Sequence, residues 1–107
     1  MKQKDEKIKE VIRQLSAEFF SRMSNRTSLI TITDVELKSR NSKATILFTV
    51  IPDNQEEAAL DFMRRQLREL REYVGDHVKI MHVPFLDVAI DKGEKNRQQI
   101  DEISRNV

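Results

Sequence analysis

The chain has 107 residues, 38% of them apolar and 35% charged, with 19 Lys and Arg against 18 Asp and Glu. That is the length of one domain with a thin interior, which favours surface recognition over a deep catalytic cavity. The absence of cysteine excludes a disulfide framework, thiol chemistry and Cys-ligated metal centres, and no apolar run reaches the ~20 residues needed to cross a bilayer.

Ile8, Val11, Ile12, Leu15, Phe19 and Met23 recur at three- and four-residue steps, which predicts a helix over about residues 4–24. The start, from Met1 to Ile8, is charged and has no apolar stretch of the secretory kind, so a cytoplasmic protein is expected. Leu29 to Leu37 is rich in β-branched residues and alternates, but the parity changes between Ile30/Ile32 and Val35/Leu37. A bulge near Thr33 and Asp34 would return all four side chains to one face. The polar turn from Lys38 to Lys43 leads to a second strand, Ala44 to Ile51, with Ala44, Ile46, Phe48 and Val50 toward the core. So short a connection makes the pair an antiparallel hairpin.

Pro52 stops that strand, and a helix is predicted to follow with Asp53 or Asn54 as its cap and Glu56 and Glu57 in its first turn. Leu60, Met63, Leu67, Leu70 and Val74 form its apolar stripe, and Gly75 is expected to break it. One or two further helical turns, then Pro84 and a third strand from Phe85 to Ile90, complete the core, with Leu86, Val88 and Ile90 on one face. The tail beyond Asp91 reads as a short helix or a frayed end. The expected architecture is α+β, in the order α-β-β-α-(kink)-α-β, with helices on one face of a three-stranded sheet. The chain is read as a single domain over residues 1–107, with a core at about 5–91 and residues 92–107 as C-terminal helix or tail.

The net charge of +1 hides unlike segments, among them +3 over residues 1–26, −4 over 53–61, +2 over 64–79 and −2 over 87–102. Such polarity concerns partners more than fold. At 100° per residue, Arg64, Arg68, Arg71 and Gly75 fall on one stripe beside the apolar one. A solvated helix face explains these arginines, but so does a basic ridge, and Arg suits planar phosphate contacts. A helix starting after Gly75 would add free N–H groups to that ridge, with His77 and Lys79 beside them. Phe62 and Tyr73 are aromatic enough to stack on bases, yet core packing is the simpler expectation for both.

Enzymatic function is not expected. No Gly-x-Ser-x-Gly elbow is present, and Gly75 and Gly93 are the only glycines, too few for a phosphate loop or a dinucleotide fingerprint. His77 and His82 are five residues apart and lack the helical metal-binding spacing, so neither a metal nor a cofactor is expected. The carboxylates at Asp53, Glu56, Glu57 and Asp61 read as a helix start rather than a hydrolytic pair.

Several stretches together resemble the bacterial ribosome-binding factor A family. They are Leu29 to Leu37, Ser39 and Lys43 to Val50; then Leu70 to Gly75, Val78 to Ile80, and Pro84, Leu86, Val88 and Asp91; and finally Arg97 to Asp101. With the amphipathic first helix, the resemblance covers about residues 5–103. It implies a type II KH-like fold in which a kink at a small residue replaces the Gly-x-x-Gly loop. It also implies a non-catalytic cytoplasmic factor that binds the small ribosomal subunit through its rRNA and assists late maturation, with no membrane or small-molecule partner. Matched by position, Gly75 takes the kink, Arg71 the arginine just before it, and Lys43 the basic residue opening the second strand. The expected RNA-binding set is therefore Lys43, Arg64, Arg68, Arg71, Gly75, His77 and Lys79, on a monomer. The sequence departs from the family pattern where a Pro-Asp pair is replaced by Arg40-Asn41 and where an arginine is replaced by Met81. The acidic helix start leaves a second possibility, a protein-interaction module using that segment or a sheet edge.

Overall fold

The structure is a computed structural model that describes residues 2–22, 29–38, 40, 42–78 and 83–97. Helix α1 (Lys2–Arg22) leads into strands β1 (Leu29–Lys38) and β2 (Lys43–Ile51). A 3₁₀ turn (Asp53–Gln55) precedes helices α2 (Glu56–Arg65) and α3 (Leu67–His77), and strand β3 (Phe85–Ile90) follows. The sheet order is β1-β2-β3, with β1 antiparallel and β3 parallel to β2.

The strands form as their alternation dictates. The register of β1 on β2 slips between Ile32 and Asp34, so Thr33 is the extra residue that the parity change calls for. Ile32 and Val35 are thereby both buried, and Ala44, Ile46, Phe48, Val50, Leu86 and Val88 share their face. All three helices cover that face: α1 lies on β1, α2 on β2 and β3, and α3 between α1 and β3. From the helices come Ile12, Phe19, Phe20, Ala59, Met63, Leu70 and Val74, which close the core. The other face carries Leu29, Ile51 and Phe85, the three large apolar side chains exposed among the described residues. Ser16, on the inner face of α1, is buried, and its hydroxyl has no partner among the described residues.

Two helix boundaries differ from expectation. Neither Asp53 nor Asn54 caps α2; the chain enters through the 3₁₀ turn, with the Gln55 N–H donating to Pro52 O at 3.0 Å and no side-chain cap. Glu56 and Glu57 do sit in the first turn of α2, where the dipole favours them. The helix break falls at Gln66, not at Gly75. At Gln66 (φ −95°, ψ −2°) the N–H donates to Met63 O, a single 3₁₀ step between two helices that point at different neighbours. Gly75 lies within α3, which continues to His77 and ends as the Val78 N–H donates to Val74 O. Buried Leu70 and Val74 hold that last turn, and a helical glycine costs only about 1 kcal/mol against alanine.

After β3, the Asp91 N–H donates to Phe48 O at 2.8 Å and residues 92–97 turn into helix. The Asp91 carboxylate accepts from the Glu94 N–H at 3.0 Å and from the Thr33 hydroxyl at 2.5 Å, so the bulge of β1 is joined to the end of β3 across β2. These bonds, that of Glu94 first, hold the Asp91 carboxyl below its usual pKa. Lys95 then reaches Glu56 at 3.1 Å.

Candidate nucleic-acid interface

The hairpin and the parallel strand bring distant basic residues to one end of the sheet. Antiparallel pairing sets Lys38 opposite Lys43, and parallel pairing sets Phe85 opposite Lys43, so the three form one row across the sheet. Their chain neighbours Ala44 and Leu86 are buried against the helices, so by strand alternation Lys43 and Phe85 project from the uncovered face. In the turn above that row, Arg40 is exposed and adopts the left-handed conformation, φ 57°. The row is tied down at β3, where the Phe85 N–H donates to Ser42 O at 2.8 Å.

Helix α3 joins the same corner through Arg71, whose Nη2 donates to Val83 O at 3.2 Å, two residues before Phe85. Arg68, Arg71, Glu72, Gly75, Asp76 and Val83 line a shallow groove there. Ion pairs form elsewhere among the described residues, at Glu10 with Arg13, Glu56 with Lys95 and Glu94 with Arg97. Lys38, Arg40, Lys43, Arg68 and Arg71 enter no ion pair among the described residues. Five exposed cations at one rim without such partners suit a polyanion, whose phosphates release counterions when they are neutralised.

Of the residues expected from sequence, Lys43, Arg68, Arg71 and Gly75 meet at this rim. Arg64 lies beyond the break at Gln66, in a separate shallow depression with Asp61 and Arg65. His77 is engaged within α3 itself: its Nδ1–H donates to Tyr73 O at 2.8 Å and its ring centroid lies 4.0 Å from that of Tyr73. Tyr73 in turn touches Phe19, at 5.6 Å between centroids, and donates to Glu18 at 3.4 Å, which places it in the helix contact, as does the packing of Phe62 on the core. Lys79 falls outside the described residues. The N–H groups expected after a break at Gly75 are absent from the rim, because the helix runs on through that residue. Lys38, Arg40 and Phe85 join the rim without a motif of their own in the sequence; the flanking of a short turn by Lys38 and Lys43 is the signal that pairs two of the cations.

Among the described residues, no cluster of three His, Cys, Asp or Glu is placed to hold a metal ion, and no helix is long and apolar enough to cross a membrane.

The family model of ribosome-binding factor A matches residues 2–104. The ribosome-binding factor A of Pelobacter propionicus is 32% identical over all of this chain and 90% of its own length. Across such relatives the matched stretch spans from 51% to 91% of their length. The crystal structure of ribosome-binding factor A from Thermus thermophilus superposes with a TM-score of 0.69 at 20% identity, over 78% of this chain and 91% of that one. The Thermus thermophilus factor fitted as a homology model into the cryo-electron-microscopy map of a 30S complex gives 0.65 at 21% identity, over 74% and 86%.

Proposed function

The chain belongs to the ribosome-binding factor A family, and from that premise we propose that it binds the small ribosomal subunit through rRNA and assists late subunit maturation. It does so as a non-catalytic cytoplasmic factor built as one KH-like domain. The observation that carries this is the sheet end where hairpin, parallel strand and α3 gather Lys38, Arg40, Lys43, Arg68 and Arg71 without ion-pair partners among the described residues. A relative of similar fold is described in complex with the 30S subunit, which supports the choice of partner. The alternative, a protein-binding site at the acidic start of α2, has part of its charge committed within the fold, since Glu56 is paired with Lys95.

The test is co-sedimentation with purified small subunits across a salt series. If all five rim cations meet phosphates, log K falls with log salt at a slope of about −3.5 to −4.5, so affinity drops about 130- to 500-fold between about 50 and 200 mM. Arg68→Ala with Arg71→Ala leaves three contacts, and the drop shrinks to about 20- to 40-fold. Absence of binding at low salt, or an unchanged slope in the double variant, overturns the proposal.

A further inference from the structure

Phe85 is the most exposed large apolar side chain among the described residues, at 69%, and the phosphate contacts proposed for the rim do not use it. A single exposed apolar residue ordinarily needs no explanation. Its setting does: it is the third member of the row Lys38, Lys43, Phe85 on the uncovered face of the sheet. Adjacent strands lie about 4.8 Å apart, so the ring stands beside the stem of Lys43. Its backbone is fixed on both sides, by buried Pro84 before it and by the bond from its N–H to Ser42 O at 2.8 Å.

We infer that Phe85 is a stacking platform for an unpaired base of the bound RNA, with the phosphates on either side of that base held by Lys43 and by the neighbouring Lys38, Arg40 and Arg71. The inference rests on the proposed rRNA-binding function and gives it a point of base contact. An aromatic face flanked by cations, with little freedom left to lose, is what single-stranded nucleic acid requires: π-faces for bases, charge for the backbone. The next row but one inward from Lys38, made by Glu36, Thr45 and Asp87, carries two carboxylates. They repel a phosphate chain from the middle of the sheet, so the strand runs along the sheet end, from the hairpin turn toward α3, and presents one base to Phe85.

The chain contains no tryptophan, so Phe85→Trp supplies a fluorophore at this one position. The full chain and its variants are titrated with purified small subunits at low salt, after confirming that each variant melts like the wild type. Phe85→Leu, which stays apolar but loses the π-face, is expected to weaken binding about five- to a hundred-fold with the salt slope unchanged. Phe85→Trp is expected to bind at least as tightly as wild type, its fluorescence quenched on binding. Wild-type affinity in Phe85→Leu, alongside weakened binding by Lys43→Ala, overturns the stacking platform and leaves the basic rim standing. An unquenched indole in a bound Phe85→Trp chain also overturns it. Failure of the wild-type chain to bind, or of both Phe85→Leu and Lys43→Ala to weaken binding, overturns both.

Discussion

Replacement of Gly75 by alanine separates a helical glycine from a hinge by the sign of its effect. Gly75 is exposed, within α3, with no positive φ. Among the described residues, a Cβ built on it meets only Val83 Cγ2, at 3.5 Å, an ordinary van der Waals contact. Alanine is better than glycine in a helix interior by about 0.8–1.0 kcal/mol. The gain is smaller near an end, and Gly75 is two residues from the last residue of α3. The net expectation for Gly75→Ala is a stabilisation of about 0.5–1 kcal/mol, part of it from restricting the unfolded chain. With an unfolding entropy near 2.1 cal/mol/K per residue over 107 residues, the melting temperature should rise by about 2–4 °C. Thermal unfolding by circular dichroism, paired with a urea titration at unchanged m-value, measures both quantities. A hinge that needs glycine's freedom would instead lose 1 kcal/mol or more, roughly, and a fall in melting temperature would refute the placement of Gly75 inside the helix.

Four other changes test the core and the crossing of the sheet. Ser16→Ala removes a buried hydroxyl without a partner among the described residues and improves helix propensity, so a gain of about 1 kcal/mol is expected in denaturant titration, and a loss would show that the hydroxyl is bonded. Phe48→Ala empties the centre of the core, where Phe48 is fully buried, and should cost about 3–5 kcal/mol by urea unfolding; a cost below about 1 kcal/mol would contradict its burial. Asp91 has a folded pKa below its ordinary 3.8, so its contribution to stability is complete above that value and is lost as pH falls through the folded one. Asp91→Asn and Thr33→Val should each lower the melting temperature at pH 7 and flatten its decline below about pH 4; an undiminished acid slope in Asp91→Asn would assign that slope to other carboxylates.

What the sequence carried and what it did not divides by range. The bulge was legible because Ile30/Ile32 and Val35/Leu37 cannot share a face without an extra residue, and Thr33 supplies it. Likewise the stripes of α1, α2 and α3 named most of the core, missing Phe20 and Ala59, which flank the periodic positions. The break at Gln66 left no local mark. Leu60, Met63, Leu67, Leu70 and Val74 keep an even helical period straight through it, with no glycine or proline. Its cause is tertiary: α2 lies on β2 and β3 while α3 turns between α1 and β3, and one 3₁₀ step at Gln66 satisfies both. Glycine was the obvious local signal for a break, yet at position 75 the buried Leu70 and Val74 outweigh its modest helix cost.

The basic rim was only half visible for a related reason. Counting charge by segment treats the chain as a line, and on that line Lys43 and Arg71 stand 28 residues apart, in unconnected stretches. They meet because β3 pairs parallel to β2, which returns the chain to the turn end of the hairpin just after α3 has delivered Arg71 to Val83. An antiparallel β3 would have put Ile90, not Phe85, beside Lys43, and the arginines would have faced the opposite end of the sheet. Period-two alternation is the same for either direction, so strand direction, and with it the rim, is fixed by the crossover through α2 and α3. The near-zero net charge then has a structural meaning: two of the acidic residues, Glu56 at the start of α2 and Glu94 after β3, pair with Lys95 and Arg97. The cations at the sheet end keep no such partners among the described residues, so a chain of net charge +1 still presents a locally basic corner at that end of the sheet.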